Sequence, residues 1–151
     1  IGTFTGYSAI CIARGIAPIG ILDTIELNDE LQESILKFFN QAEVTQSVNL
    51  HIGNALEIIP TLDFHYDLVF IDGDKLQYPD YYNKVFPKVK VGGFILADNV
   101  LWDGKVINPD PNDTHTKAIM SFNRMVQDDC RVQNVILPMR DGLMLIQKIC
   151  D

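Results

Sequence analysis

Stretches of aliphatic and β-branched residues alternate along the chain with stretches in which apolar residues recur every three to four positions. The first pattern predicts strands at residues 20–26, Val48–Ile52, 67–71 and 94–97. The second predicts helices from about Tyr7, over 28–42 with a cap at Asn28 or Asp29, over 78–89 closed by Gly92 and Gly93, and over Thr114–Asp128. Continuous apolar strands separated by helices are typical of a parallel sheet that is covered on both faces.

The end of the chain has a different pattern. Two strand-like segments, Val132–Leu137 and 143–149, are joined by a short turn that contains Asp141 and Gly142. Such a turn between two strand patterns predicts a hairpin. The hairpin adds one antiparallel strand to the sheet. The first residues, by contrast, resemble a turn after a strand although no strand precedes them, so we expect the chain to begin inside the domain.

Composition narrows the classes of function. The 151 residues predict one domain, 1–151, and Lys plus Arg 12 against Asp plus Glu 20 give a net charge of −8. This acidic balance argues against sequence-independent binding of nucleic acid, which needs cations to contact phosphates. No apolar run approaches the roughly 20 residues of a membrane helix. The three cysteines lack metal-like spacing and predict reduced thiols in a cytoplasmic protein.

Acidic residues follow three of the predicted strands. Glu26, Asp72 and Asp98 each stand at a strand's carboxyl end, where ligands of open α/β sheets bind, so we expect them to converge on one rim. Asp72 and Asp98, with the neighbouring Asn99, offer hard oxygen ligands suited to Mg²⁺ or Ca²⁺. The alternative is that the two aspartates cap helices or turns.

A second candidate site lies at the beginning of the chain. Gly2 and Gly6 precede a predicted helix, and free amides at a helix start favour an anion. The spacing is not that of the dinucleotide fingerprint. Glu26 follows Gly6 by twenty residues, and an acid at that place can accept both hydroxyls of a ribose. The pattern indicates an adenosine-type cofactor, with a purely structural glycine turn as the alternative.

Two further residues lie next to the acidic strand ends. Lys75 follows Asp72-Gly-Asp74, and a lysine beside a divalent cation is favoured in its neutral form, which suits a general base. The alternative is a solvated surface lysine. Trp102 follows the Asp98-Asn99 turn and is either a ring-stacking wall or a packing residue. The histidines have no partner that suggests a triad, and the tyrosines near position 80 are expected to pack.

At these residues the chain resembles the cation-dependent class I O-methyltransferases that use S-adenosylmethionine, the group that holds catechol and caffeoyl-coenzyme A O-methyltransferases. The resemblance runs nearly end to end and rests on the following segments: Ile1-Gly-Thr-Phe-Thr-Gly-Tyr-Ser8, Thr24-Ile-Glu26, Gly53-Asn-Ala-Leu56, Val69-Phe-Ile-Asp-Gly-Asp-Lys75 with Tyr78, Ile95-Leu-Ala-Asp-Asn-Val-Leu-Trp102 and Leu137-Pro-Met-Arg-Asp-Gly-Leu143. It implies a Rossmann-like α/β fold whose mostly parallel sheet has helices on both faces and an antiparallel last strand. It also implies that the first strand and the N-terminal helices of the family lie before Ile1.

The resemblance assigns roles to individual residues. Lys75 would be the base, with Asp72 also in the catalytic centre, and Trp102 and Asp103 would border the acceptor. The metal would be held by Asp72, Asp98 and Asn99. The cofactor would be bound by Gly2, Thr3, Ser8, Glu26, Ala55 and Asp74.

The implied activity is methylation of a hydroxyl of a vicinal dihydroxy aromatic, with S-adenosylmethionine and Mg²⁺, or another divalent cation such as Ca²⁺ or Mn²⁺. A cytoplasmic homodimer that binds neither nucleic acid nor membrane is implied as well. Two alternatives stay open at this point. One is an oxidoreductase with a nucleotide cofactor, and the other is a binding module that keeps the cofactor pocket without turnover.

Overall fold

The computed structural model describes residues 1–16 and 18–151. They form two compact units, Ile1–Thr61 and Leu62–Asp151, each built from strands and helices. The single domain 1–151 stays a prediction. Within the described ranges, no helix has the length and apolar character needed to cross a membrane.

The first unit contains two parallel strands and three helices. Strands β1 (Leu22–Glu26) and β2 (Val48–Ile52) pair with Leu22 opposite Val48 and Glu26 opposite Ile52. The helices are α1 (Tyr7–Ile16), α2 (Gln32–Gln41) and α3 (Ala55–Ile58). A short 3₁₀ turn, Asp29–Leu31, precedes α2, and the side chain of Asn28 caps it by accepting from the Glu30 amide.

The core of the first unit is formed by apolar residues of its helices and strands. Ile35 and Phe39 lie one turn apart on the buried face of α2, and Ala9 and Ala13 lie one turn apart on α1. The buried residues named for each helix are thus four positions apart, and for α2 this agrees with the recurrence of three to four residues that predicted a helix over 28–42.

The second unit is a four-stranded sheet with two helices. Its strands are β3 (Tyr66–Ile71), β4 (Val89–Ala97), β5 (Val132–Leu137) and β6 (Leu143–Lys148), and its helices are α4 (Tyr78–Val85) and α5 (Thr114–Asp128). The strand order is β3-β4-β6-β5. β3 and β4 are parallel, whereas β6 is antiparallel to both β4 and β5. The predicted antiparallel last strand and the hairpin that carries it are confirmed.

Aromatic side chains fill the interior beside this sheet. Tyr78 and Tyr82, one turn apart on α4, are both buried, and their rings meet the ring of Phe122 of α5 edge-on at centroid distances of 5.4 and 6.2 Å. Edge-to-face pairs of this kind add about 0.5–1.5 kcal/mol each beyond the area that they bury. The packing fixes α4, and therefore the residues just before it, against the sheet.

The predicted helix end at Gly92 and Gly93 is wrong. α4 ends at Val85, because Pro87 follows within the 3₁₀ turn Phe86–Lys88 and cannot supply the amide that a longer helix needs. The glycines lie inside β4 instead, where Gly92 has a φ of +86° and the pairing of β3 with β4 shifts register. Their role is to permit an irregular strand, since a side chain at Gly93 would press on the carbonyl oxygens of Lys90 and Asp67.

Candidate active site

The carboxyl ends of β3 and β4 lie side by side. Ile71 and Ala97 are register partners, and Asp72 and Asp98 directly follow them. The Asp98 amide continues the ladder by donating to the Ile71 carbonyl at 3.1 Å. The two aspartates that the sequence analysis selected are therefore neighbours at one edge of the sheet.

Lys75 is fixed by two side chains of the same segment. Its Nζ lies 3.0 Å from Asp72 Oδ1 and 2.6 Å from the Tyr78 hydroxyl oxygen. The lysine side chain is only 11% exposed, so it is not the solvated surface lysine of the alternative interpretation. Asp72, Lys75 and Tyr78 follow one another at spacings of three, which brings their side chains together over successive tight turns.

Tyr78 connects the lysine to both strand ends. Its hydroxyl is 3.0 Å from the Asp98 carbonyl oxygen and 3.2 Å from the Ile71 carbonyl oxygen. Burial raises the pKa of Tyr78 well above its ordinary value of 10.0, and the charges of Asp72 and Asp98 raise it further. The hydroxyl therefore stays neutral, donates its one proton to a backbone carbonyl, and accepts from Lys75.

The oxygen atoms at this edge suit a hard divalent cation. Asp72 and Asp98 supply carboxylates, and Asn99, which has a φ of +59°, supplies a side-chain amide. Asp98 Oδ1 also accepts from the Asn99 amide at 2.7 Å, which ties the two residues into one turn. The described residues contain no group of three or more His, Cys, Asp and Glu placed to hold a metal, so a site here would need the amide oxygen as well. Two carboxylates and an amide fit Mg²⁺, which retains water ligands.

Trp102 and Asp103 lie on the loop after β4. The Trp102 ring stacks on the ring of His115 of α5, at 6.1 Å between centroids and 18° between planes. The indole Nε1 is buried and has no partner among the described residues. Asp103 borders an open cavity of about 410 Å³ together with Ile107 and Arg140. Trp102 is thus half-buried and packed on α5, whereas its neighbour Asp103 lines the cavity, and the role of Trp102 as a wall stays a prediction.

The residues predicted for the cofactor lie mainly in the first unit. The Gly2 and Thr3 amides donate to the Ile25 carbonyl at 3.0 and 3.1 Å. The Thr3 hydroxyl is buried and bonded to the Thr24 hydroxyl at 2.7 Å. Ser8 lies in the first turn of α1. The glycine loop is therefore fastened to the end of β1, where Glu26 stands.

The Glu26 carboxylate binds the glycine loop with one oxygen and the turn that follows β1 with the other. Its Oε2 accepts from the Phe4 amide at 2.7 Å, and its Oε1 accepts from the Asn28 amide at 2.9 Å. A carboxylate offers about four acceptor positions, so each oxygen retains capacity for a hydroxyl of a ribose. Whether Glu26 converges with Asp72 and Asp98 stays a prediction.

Ala55 and Asp74 both stand at helical starts. Ala55 is the buried first residue of α3, whose cap is Asn54. Asp74 caps the 3₁₀ turn Lys75–Gln77 by accepting from the Leu76 amide at 3.0 Å. Asp74 therefore caps a helical turn at this edge of the sheet.

Sequence reasoning missed three side chains of this region. Tyr78 was expected to pack, although its spacing of three from Lys75 was a usable signal. His115 was treated as scattered, and its stacking on Trp102 depends on the fold. Asp141 was only part of a turn, and its contact with the Asp103 amide, 38 positions away, has no sequence signal.

Comparison with known proteins gives a consistent result. A family model described as O-methyltransferase matches residues 1–149. "Probable caffeoyl-CoA O-methyltransferase 2" of Dictyostelium discoideum is 36% identical over 99% of this chain and 67% of its own length. Catechol O-methyltransferase domain-containing protein 1 of Mus musculus is 32% identical over 99% and 59%. The chain thus spans about two thirds of the length of the first relative and less of the second.

The chain is also similar to a solved O-methyltransferase structure. The O-methyltransferase TomG of Streptomyces achromogenes, involved in tomaymycin synthesis and solved in complex with SAM, is 33% identical over 97% of this chain and 70% of its own, with a TM-score of 0.91. The predicted Rossmann-like class I methyltransferase fold is confirmed by this similarity. The chain belongs to the O-methyltransferase family of enzymes.

Proposed function

We propose that this protein transfers a methyl group from S-adenosylmethionine to one hydroxyl of a vicinal dihydroxy aromatic molecule, with a divalent cation. The observation that carries the proposal is the cluster at the ends of β3 and β4, where Lys75 contacts Asp72 and the Tyr78 hydroxyl, and the same hydroxyl reaches the Asp98 carbonyl. The relatives' names, which mention caffeoyl-CoA, catechol and SAM, support the acceptor and the cofactor.

Asp72, Asp98 and Asn99 would hold the cation. Their oxygens form the donor set that Mg²⁺ prefers, and Asp72 is partly exposed, so it is open to solvent or ligand. When bound, the cation would act as a Lewis acid on the acceptor oxygens and orient the two adjacent hydroxyls. The proposal of a vicinal diol follows from this, because two neighbouring oxygens can bind one ion together.

Lys75 would remove the proton of the hydroxyl that is methylated. The bound S-adenosylmethionine would supply the methyl group to that oxygen and leave as S-adenosylhomocysteine, and Lys75 Nζ would hold the proton. Asp72 and Tyr78 fix the position of Nζ, so the base does not have to be ordered during the reaction. Alignment of a base and two reactants is a large source of rate.

The cofactor would be bound by the glycine loop, the end of β1 and the start of α3. Glu26 would accept the ribose hydroxyls, Gly2, Thr3 and Ser8 would hold the amino-acid end, and Ala55 would line the adenine. The assignment of Asp74 to the cofactor stays a prediction. Trp102 and Asp103 would border the aromatic acceptor. The homodimer and the cytoplasmic location implied by the resemblance stay predictions.

The test is transfer of an isotopically labelled methyl group to catechol, followed by mass spectrometry, with phenol as the matched acceptor that lacks the second hydroxyl. We expect a monomethylated catechol and at least tenfold slower methylation of phenol. Equal rates on both acceptors would contradict the vicinal-diol proposal. No product from either, with S-adenosylhomocysteine still bound in calorimetry, would indicate a binding module.

A further inference from the structure

The loop that follows β4, residues 98–105, has an unusual backbone. Asn99, Trp102 and Asp103 have φ values of +59°, +47° and +53°, a region that non-glycine residues rarely adopt. Such conformations persist only where the surrounding structure enforces them, and they are frequent at functional sites. The question is which groups enforce them here.

The turn of the β5–β6 hairpin holds this loop at three points. The Val100 amide donates to the Gly142 carbonyl at 3.1 Å, and the Leu101 amide donates to the Asp141 carbonyl at 2.9 Å. The third point is a side chain: the Asp103 amide donates to Asp141 Oδ1. Asp141 therefore contacts the loop with its side chain as well as with its backbone.

The fit between turn and loop is close. Gly142 has a φ of +82°, and a Cβ at that position would overlap the side chain of Leu101. On the other side of the loop the Asn123 side-chain amide of α5 donates to the Val100 carbonyl at 2.8 Å. Val100 and Leu101 are thus held by backbone and by α5, the Trp102 ring stacks on His115 of α5, and the Asp103 amide is held by the Asp141 carboxylate.

We propose that Asp141 is a positioning residue for the acceptor: its carboxylate holds Asp103 in the left-handed conformation and so keeps Trp102, the preceding residue, in place beside the acceptor. The effect on acceptor binding rests on the proposed function, whereas the hold on the loop does not. Nothing in the chemistry of the reaction requires Asp141 to touch a reactant. Its effect should therefore appear in binding of the acceptor and not in binding of the cofactor.

The chain offers a direct probe of the loop, because Trp102 is its single tryptophan. The experiment compares acrylamide quenching of Trp102 fluorescence in the wild type, Asp141→Ala and Asp141→Asn. We expect the alanine variant to be quenched at least twice as efficiently, because the loop loosens. The asparagine variant should stay close to the wild type, because its amide oxygen still accepts from the Asp103 amide.

Asp67→Ala is the matched control. It removes the same charge from an exposed carboxylate whose partner is Lys90, at 2.8 Å. In the methyl-transfer assay, Asp141→Ala should raise the KM of the acceptor about tenfold, the size of one charge-assisted hydrogen bond, with the KM of S-adenosylmethionine unchanged. Asp67→Ala should change neither constant.

Quenching and acceptor KM in Asp141→Ala that equal those in Asp67→Ala would overturn the proposal. A rise in the KM of both the acceptor and S-adenosylmethionine would also overturn it, because the effect would then be general. Equal quenching and equal acceptor KM in Asp141→Asn and Asp141→Ala would overturn it as well, because the effect would then depend on the charge alone. If no variant, including the wild type, methylates any acceptor while Trp102 quenching still responds to Asp141→Ala, the proposed function fails and the hold on the loop stands.

Discussion

Replacing Tyr78 by phenylalanine tests the arrangement at the ends of β3 and β4 most sharply. The change keeps the ring, which packs on Phe122, and removes only the hydroxyl. That hydroxyl accepts from Lys75 at 2.6 Å and lies 3.0 Å from the Asp98 carbonyl oxygen. Loss of a buried hydrogen bond costs about 1–3 kcal/mol, and about 2 kcal/mol in a chain of this length lowers the melting temperature by roughly 4–8 °C.

The effect on rate should be separate from the effect on stability. Without the hydroxyl, Asp72 is the remaining hydrogen-bond partner described for Lys75, so we expect kcat to fall roughly 10- to 100-fold, the equivalent of losing one buried hydrogen bond of about 1–3 kcal/mol. The raised pKa keeps the Tyr78 hydroxyl protonated over any usual assay range. The loss in kcat should therefore be similar at every pH at which the wild type is active.

Tyr82→Phe is the control for this prediction. Tyr82 is also buried, and its hydroxyl donates to Asp129 at 2.8 Å, a partner outside the candidate site. We expect a comparable fall in melting temperature with a kcat within about twofold of the wild type. The measurements are thermal unfolding by circular dichroism and initial rates at saturating cofactor. A Tyr78→Phe enzyme with full kcat, or an equal loss of kcat in both variants, would refute the role of this hydroxyl in placing Lys75.

Three further predictions concern single side chains. Lys75→Met should lower the rate of methyl transfer at least 100-fold and leave the binding of S-adenosylhomocysteine in calorimetry unchanged. Lys90→Met should leave both the rate and the binding unchanged. Unchanged methylation by Lys75→Met would exclude Lys75 as the base. Asp98→Asn should raise the Mg²⁺ concentration for half-maximal rate at least tenfold, and a variant fully active without metal would refute the ligand assignment. The Arg131 side chain is the largest cause of the lowered pKa of Asp129, ordinarily 3.8. The stability from this pair is therefore complete above about pH 4–5 and lost as pH falls through the lower folded pKa, so the difference in melting temperature between wild type and Asp129→Asn should shrink on acidification. A difference that stays constant down to about pH 2 would contradict this.

The bounds of several elements could be predicted from the sequence, because runs of β-branched residues and regularly recurring apolar residues mark strands and helices. Val48–Ile52, Thr114–Asp128 and Val132–Leu137 were predicted with their observed bounds. The end of α4 was not, because Gly92 and Gly93 suggested a helix stop although Pro87 lies nearer. Glycine permits a turn and an irregular strand equally, and only the pairing with β3 decides between them.

For the candidate site, the residues at neighbouring strand ends could be predicted from the sequence, whereas several side-chain contacts could not. Asp72 and Asp98 could be selected because each follows an apolar run typical of a strand, and the carboxyl ends of neighbouring parallel strands lie together. Contacts that depend on distant segments could not be predicted. The Tyr78 hydroxyl reaches the Asp98 carbonyl just after β4, and the Asp141 carboxylate of the hairpin turn reaches the Asp103 amide of the loop after β4.

The measurement that tests the central claim most directly is methyl transfer from S-adenosylmethionine to catechol with and without a divalent cation. The protein is assayed after removal of metal by a chelator and again after addition of excess Mg²⁺. We predict methylated catechol in the presence of Mg²⁺, loss of product after chelation, and full recovery on addition of Mg²⁺. Undiminished methylation in the chelated protein would contradict the proposed metal site, and absence of methylation under every condition would contradict the proposed function.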